Sequence, residues 1–325
     1  MREVAFIRQN KEKWIEFEKI TTKKGKEKVD SDKLSHLYIQ VMNDLSYAQT
    51  YYPESKLVNY LNSLAANIYL SVYKSNQIEK NRLKNLFFLD VPLLSYKYRY
   101  YFYAAFAIFF LFLGMGILSA MNDNSFCRLI LGDDYVNTTL ENIKKGDPVA
   151  IYKSGSNWGS FIGITINNLK VGAISYVFGL FLGLGSIYIL MNNTIMLGSF
   201  QYFFAERGVL LDSVRGIWIH GSMEITGMII EAACGLALGF SFLFPGSYSR
   251  LNSFRIGFKN TFKIFCSTMI FTLMAGFLEG YITRYSNVMP LSLCFTIIGV
   301  TLFMILFYYF IYPVIIYKKV FKEHN

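Results

Sequence analysis

The chain has 325 residues, of which 53% are hydrophobic, 18% aromatic and only 17% charged, with a mean hydropathy of +0.32. This composition excludes a purely soluble protein, and 30 Phe with 24 Tyr exclude a disordered one. The formal net charge of +10 is concentrated at the front, where the first 100 positions hold 17 basic and 11 acidic residues, so no nucleic-acid partner is expected.

Residues 1–97 read as a soluble cytoplasmic helical bundle. Met1 to Lys28 is charged and lacks the apolar core of a secretory signal, which places the N-terminus in the cytoplasm. Apolar residues recur at helical spacing in Leu34, Leu37, Tyr38, Val41, Met42 and Leu45, and again in Leu57, Val58, Leu61, Leu64, Ala65, Ile68, Tyr69 and Val72. A first helix around Phe6 to Phe17 makes three. The polar run Lys23 to Ser31 ends in candidate N-caps Asp30 and Ser31, and Pro53 suits the first turn of the third helix. The bundle is the expected binding surface for a cytoplasmic partner, and the basic flank Lys97 and Arg99 abuts membrane lipid.

Residues 98–325 read as a helical transmembrane domain. Tyr101 to Met121 is uncharged and long enough to cross a hydrocarbon core of ~30 Å. The polar stretch 122–157, with Asp123, Asp133, Asp134 and Asp147, is then an extracytoplasmic loop. A second span is expected at Gly172 to Leu190, with Trp158 to Asn168 as an interfacial lead-in. Ile217 to Phe244, Ile264 to Ile282 and Leu291 to Tyr317 complete five. Arg250, Arg255, Lys259 and Lys263, then Lys318, Lys319 and Lys322, place their stretches in the cytoplasm. Cytoplasmic termini demand an even number of crossings. The sixth must lie in Met191 to Leu211, where about 15 apolar residues cover only ~22 Å and predict a short, tilted or broken span bordering Gly198. The fold class is thus all-α: a polytopic helical membrane protein of about six spans, both termini cytoplasmic, with a soluble helical head.

Within the spans, His220, Glu224, Gly227, Glu231 and Gly235 fall within about 80° of one another on a helix. Carboxylates at that depth must face other helices or water. The stripe reads either as an ion or proton site or docking seam, or as hydrogen-bonded acids that fix packing. Gly172, Gly179 and Gly183 share a face that permits close helix approach, and Asn167-Asn168 and Asn192-Asn193 flank the predicted second span as caps or as pore lining. Cys127, Cys234, Cys266 and Cys294 show no CxxC spacing, and His36, His220 and His324 are too few for a multi-histidine centre. No HExxH, GxSxG or phosphate-binding loop is present. No catalytic residue, cofactor or metal is expected.

Asn167-Asn168 leading into a span with Gly179 and Gly183, then Asn193, Gly198, His220-Gly221-x-x-Glu224 and Gly235-Leu236-Ala237-Leu238-Gly239, resembles the stage II sporulation protein M family of bacterial and archaeal membrane proteins. The likeness covers roughly residues 100–320, and the long form with a helical head is similar to residues 1–97. Where that family often carries prolines around the His-Gly-x-x-Glu motif, this chain has Trp218-Ile219 and Ile225-Thr226-Gly227, with Gly227 as the candidate helix break. The resemblance implies a non-enzymatic scaffold or assembly factor of the bacterial inner membrane, working with other membrane proteins in envelope or wall remodelling. The alternative is a transporter or channel component with the Glu/His stripe as its ion or proton site.

Overall fold

The apolar spacing of the N-terminal region gives three helices, α1 (Glu3–Thr22), α2 (Ser31–Tyr51) and α3 (Lys56–Ser75), in a computed structural model that describes residues 2–22, 31–75, 81–123, 125–150 and 156–322. The polar run to Asp30, the side chains of Ser31, Leu34, Ile68, Tyr69 and Val72, and His324 lie outside what is described. Phe6, Trp14 and Phe17 of α1 close on Leu37, Val41, Leu45 and Ala48 of α2 and on Leu57, Leu61, Leu64 and Ala65 of α3. The Trp14 indole, whose N–H would be costly to bury alone, donates to Asp44 at 2.8 Å, and Lys13 pairs with the same carboxylate. Pro53 lies in the turn before α3 and not in its first turn. The cap is Ser55, whose hydroxyl accepts the Leu57 N–H at 3.0 Å. This unit spans Met1–Arg82.

Among the described residues the second unit, Leu83–Asn325, holds six long helices, the first of which starts one residue before it: α4 (Arg82–Asn122), α7 (Asn157–Leu180), α8 (Leu184–Glu206), α9 (Leu210–Leu243), α10 (Arg250–Tyr285) and α11 (Leu291–Phe321). Between the first two stand the short α5 (Phe126–Leu131) and α6 (Asp133–Lys144). Five of the six are both long and apolar enough to cross a membrane. The other, α8, has the length, since 23 residues rise ~34 Å, but Asn192, Asn193 and Gln201 dilute its apolarity. Large apolar side chains such as Phe110, Leu111, Leu118, Val300 and Phe303 stay exposed, as a surface meeting hydrocarbon requires.

Three expectations about the second and sixth spans need correction. Gly172 to Leu190 is not one helix: α7 ends at Leu180, and Leu182 (φ 56°) with Gly183 (φ 83°) reverses the chain into α8. The turn is built from apolar residues, Phe181 to Leu184, so hydropathy runs straight through it. Consequently Trp158 to Asn168 is the first half of a span and not an interfacial lead-in, and the segment after Met191 belongs to an unbroken 23-residue helix.

The stretch 122–157 is likewise more than a polar loop. Asp123 stops α4 in an extended conformation and accepts the Ser125 N–H and hydroxyl at 2.8 and 2.7 Å, which holds its carboxyl below the usual range. Cys127, Val136 and Val149 then pack on Ala120, Phe200, Phe203, Phe204 and Ile217, capping one end of the bundle.

At the centre is α9. In its most apolar window 72% of residues are buried, against 17–44% in the other four candidate spans. It runs without interruption through Gly227, so no glycine break takes the place of the absent prolines.

Candidate functional site

The periodicity of α9 sets His220, Glu224 and Glu231 on one face, and the bundle turns that face inward. His220 and Glu231 are only 3% and 4% exposed, whereas Glu224 is half-buried. Each side chain meets a neighbouring helix. The Asn168 amide of α7 donates to Glu224 Oε1, and the Thr268 hydroxyl of α10 donates to Glu231 Oε1 at 2.7 Å. His220 Nδ1 lies 3.0 Å from Thr283 Oγ1, and His220 Nε2 lies 3.5 Å from Glu279 Oε2, both on α10.

Glu279 was not singled out from the sequence, although a visible signal existed: it is the only acid in the apolar run Ile264 to Ile282. It sits in a π-helical turn, Leu278–Ile282, inside α10 and is 6% exposed. The wider turn alters the angular placement of the residues after it relative to a regular α-helix, and such turns recur at functional sites. Close packing accompanies it, because a Cβ on Gly280 would stand 3.0 Å from both the Asn157 carbonyl oxygen and Phe161 Cβ of α7. One ligand-type atom each from His220, Glu224 and Glu279 therefore lies within 4.8 Å of the others.

Glu231 lies two turns further along and stands apart. Its carboxylate fills the space where Gly172 of α7 has no side chain, and a Cβ there would overlap it. Beyond it the contact turns to backbone. A Cβ on Gly179 would collide with the Gly235 backbone, and one on Gly239 with Gly183 N and the Gly179 carbonyl. Gly179 thus lies at a helix–helix contact, as the spacing predicts. Gly183 does not share its helix face but occupies the turn, where its positive φ favours glycine.

Gly198 serves a different crossing: its missing side chain admits Leu113 and Gly116 of α4, and Gly116 in return admits Ile195. The asparagine pairs do not cap helices. Asn167-Asn168 is mid-helix in α7 and Asn192-Asn193 mid-helix in α8, where the Asn193 amide donates back to the Ile189 carbonyl at 2.8 Å. Gly221 is buried but not crowded, with a Cβ position 3.6 Å from Ile217 and 3.7 Å from Ile225.

The shift of the second span exposes one more residue. With α7 at Asn157–Leu180, Lys170 lies in the middle of a candidate membrane span. It shares the outward face of α7 with Ile166 and Asn167, is exposed, and forms no ion pair among the described residues.

Two family models match the chain. Residues 4–74 match a domain of unknown function, DUF8413, which coincides with the three-helix head. Residues 105–284 match the model of stage II sporulation protein M, from α4 to the end of α10. No curated protein and no solved structure matched. The second match takes in more than half of the chain together with His220, Gly221, Glu224, Glu231 and Glu279, and the chain accordingly belongs to the stage II sporulation protein M family.

Proposed function

We propose that this protein is a non-enzymatic scaffold of the bacterial inner membrane, docking another membrane protein on α7 and a cytoplasmic partner on the three-helix head. Lys170 carries the reading. An ammonium group near the middle of a span is expensive in hydrocarbon, and its neighbour Asn167 adds unsatisfied amide groups on the same outward face. A partner helix presenting an acid or a carbonyl-rich surface satisfies both. The inward acids do a different job: each binds across to a neighbouring helix, which makes the bundle a fixed platform.

Orientation follows from charge. Lys97, Arg99, Arg250, Arg255, Lys259 and Lys263 gather at the end of the bundle where α4 begins and the α9–α10 turn lies, so that end faces the cytoplasm, and with α8 counted as a crossing beside the five candidate spans both termini lie there. The α5–α6 cap is then extracytoplasmic.

Affinity purification of the full chain from native membranes tests the docking face. Wild type should bring down a membrane partner that Lys170→Leu loses and Lys170→Arg keeps, with equal membrane abundance in all three. A Lys170→Leu chain that retains its partners and complements a deletion strain overturns the reading. The rival, a transporter or channel component, requires Glu224 to change charge during turnover. A Glu224→Gln chain of normal abundance that fails to complement while keeping its partners would favour that rival.

A further inference from the structure

We infer that His220, Glu224 and Glu279 form a binding site for one divalent transition cation of the zinc class, set between α9 and α10. The inference goes beyond the scaffold reading and does not depend on it.

The donor set has the composition and the spacing. One imidazole and two carboxylates are hard-to-borderline ligands suited to zinc, manganese or iron. A tetrahedron with metal–ligand bonds of ~2.05 Å has edges of ~3.4 Å. The separation of His220 Nε2 from Glu279 Oε2 is 3.5 Å, close to that edge, and one ligand-type atom from each of the three residues lies within 4.8 Å of the others. His220 and Glu224 are one helical turn apart and present their groups side by side; Glu279 arrives from the facing helix through the π-helical turn.

The outer partners are those a metal site uses. Histidine ligands characteristically bind their other ring nitrogen to a fixed acceptor, which sets the tautomer and aims the free nitrogen at the metal. Thr283 stands 3.0 Å from Nδ1 and leaves Nε2 facing the Glu279 carboxylate. The Asn168 amide donates to Oε1 of Glu224 and so fixes that carboxylate. Charge points the same way: a divalent cation offsets the cost of bringing two carboxyl groups together in the interior of a bundle. Glu231 is not part of the set, being bound to Thr268 and packed at Gly172. Glu224 is the least buried of the three, and a fourth ligand, water or a side chain from a partner, is expected on its side.

The test uses the full chain in lipid discs, purified on a tag without histidines, stripped with a chelator and titrated with zinc chloride. Metal content after gel filtration, calorimetric affinity and Tm are read together. Wild type should hold about one zinc per chain, with a raised Tm and no displacement by equal magnesium. Glu224→Gln and Glu279→Gln should weaken binding at least about a hundredfold and Thr283→Val about tenfold, while Glu231→Gln binds as wild type. Should a cluster variant fail to accumulate, zinc-edge absorption on wild type decides, with one nitrogen and carboxylate oxygens expected. Wild type that takes up no zinc, a sulfur-containing shell, or a Glu279→Gln chain with undiminished affinity overturns the site. None of these readouts requires a partner protein, so docking through Lys170 stands or falls separately.

Discussion

Between His220 and Glu231 the central helix α9 meets its neighbours through side chains, whereas from Gly235 to Gly239 it meets them backbone to backbone. The first half has exchangeable groups, two of them acids whose hydrogen bonds another polar residue can imitate. The second half has no such latitude, since nothing between the Gly179 and Gly235 backbones can rotate aside. One helix thus combines a stretch of polar side-chain contacts with a rigid one, and the rigid stretch holds α7 and the turn into α8 against it. That fixes the register in which Asn168 and Gly172 of α7 reach Glu224 and Glu231.

The largest expected effect is in the rigid half. Gly179→Leu places a side chain inside the Gly235 backbone and should cost about 3 kcal/mol or more, eliminating extractable folded protein. Gly114→Leu, on α4 where nothing stands within 4 Å of the Cβ position, is the matched control and should extract normally. Equal yields from the two variants, measured by fluorescence-detected gel filtration, would dissolve the distinction between the halves.

Next comes the polar half. Glu231→Gln keeps an acceptor for Thr268 at nearly the same shape and should change Tm little, while Glu231→Ala opens a void between Gly172 and Thr268 and should cost about 2–3 kcal/mol. If Gln proves as damaging as Ala, the carboxylate charge matters at Glu231 and the packing account of this residue is wrong. Smaller again is Gly183→Ala. The φ of 83° and the Leu236 methyl 2.9 Å from the Cβ position together predict a loss of about 1–2 kcal/mol, read as a lower Tm in discs.

The sequence made the fold class legible because spans and amphipathic faces are one-dimensional signals. The polar stripe of α9 was legible too, since His220, Glu224 and Glu231 share one helix and one period. What escaped were features that hydropathy cannot encode. The turn at Phe181 to Leu184 is apolar, so hydropathy alone runs the second span from Gly172 to Leu190 and leaves Lys170 outside it. The asparagine pairs follow from the same error, flanking as caps or pore lining a helix whose ends lie elsewhere. Glu279 escaped for another reason: its meeting with His220 depends on helix pairing and on a π-helical turn, neither of which leaves a periodicity. Its lone charge in an apolar run was the available sign.

The smallest expected effect concerns Gly221, the glycine of the His-Gly-x-x-Glu motif. In a helix interior, glycine is about 1 kcal/mol less favourable than alanine, and it is retained where a side chain has no room or where something must approach the backbone. Room exists here. A Cβ would rest 3.6 Å from Ile217 and 3.7 Å from Ile225, both ordinary contacts with side chains of the same helix. Gly221→Ala should therefore leave Tm unchanged or raise it by a few degrees, in contrast to Gly179, whose neighbours are backbone. Thermal unfolding in lipid discs measures this, and zinc titration of the same sample adds a second reading. A variant with normal Tm but weakened zinc binding would mean that the glycine serves the approach of the cation's fourth ligand. A variant with a large loss of Tm would mean that the first half of α9 is packed as tightly as the second, and the contrast drawn between them would fail at its least crowded position.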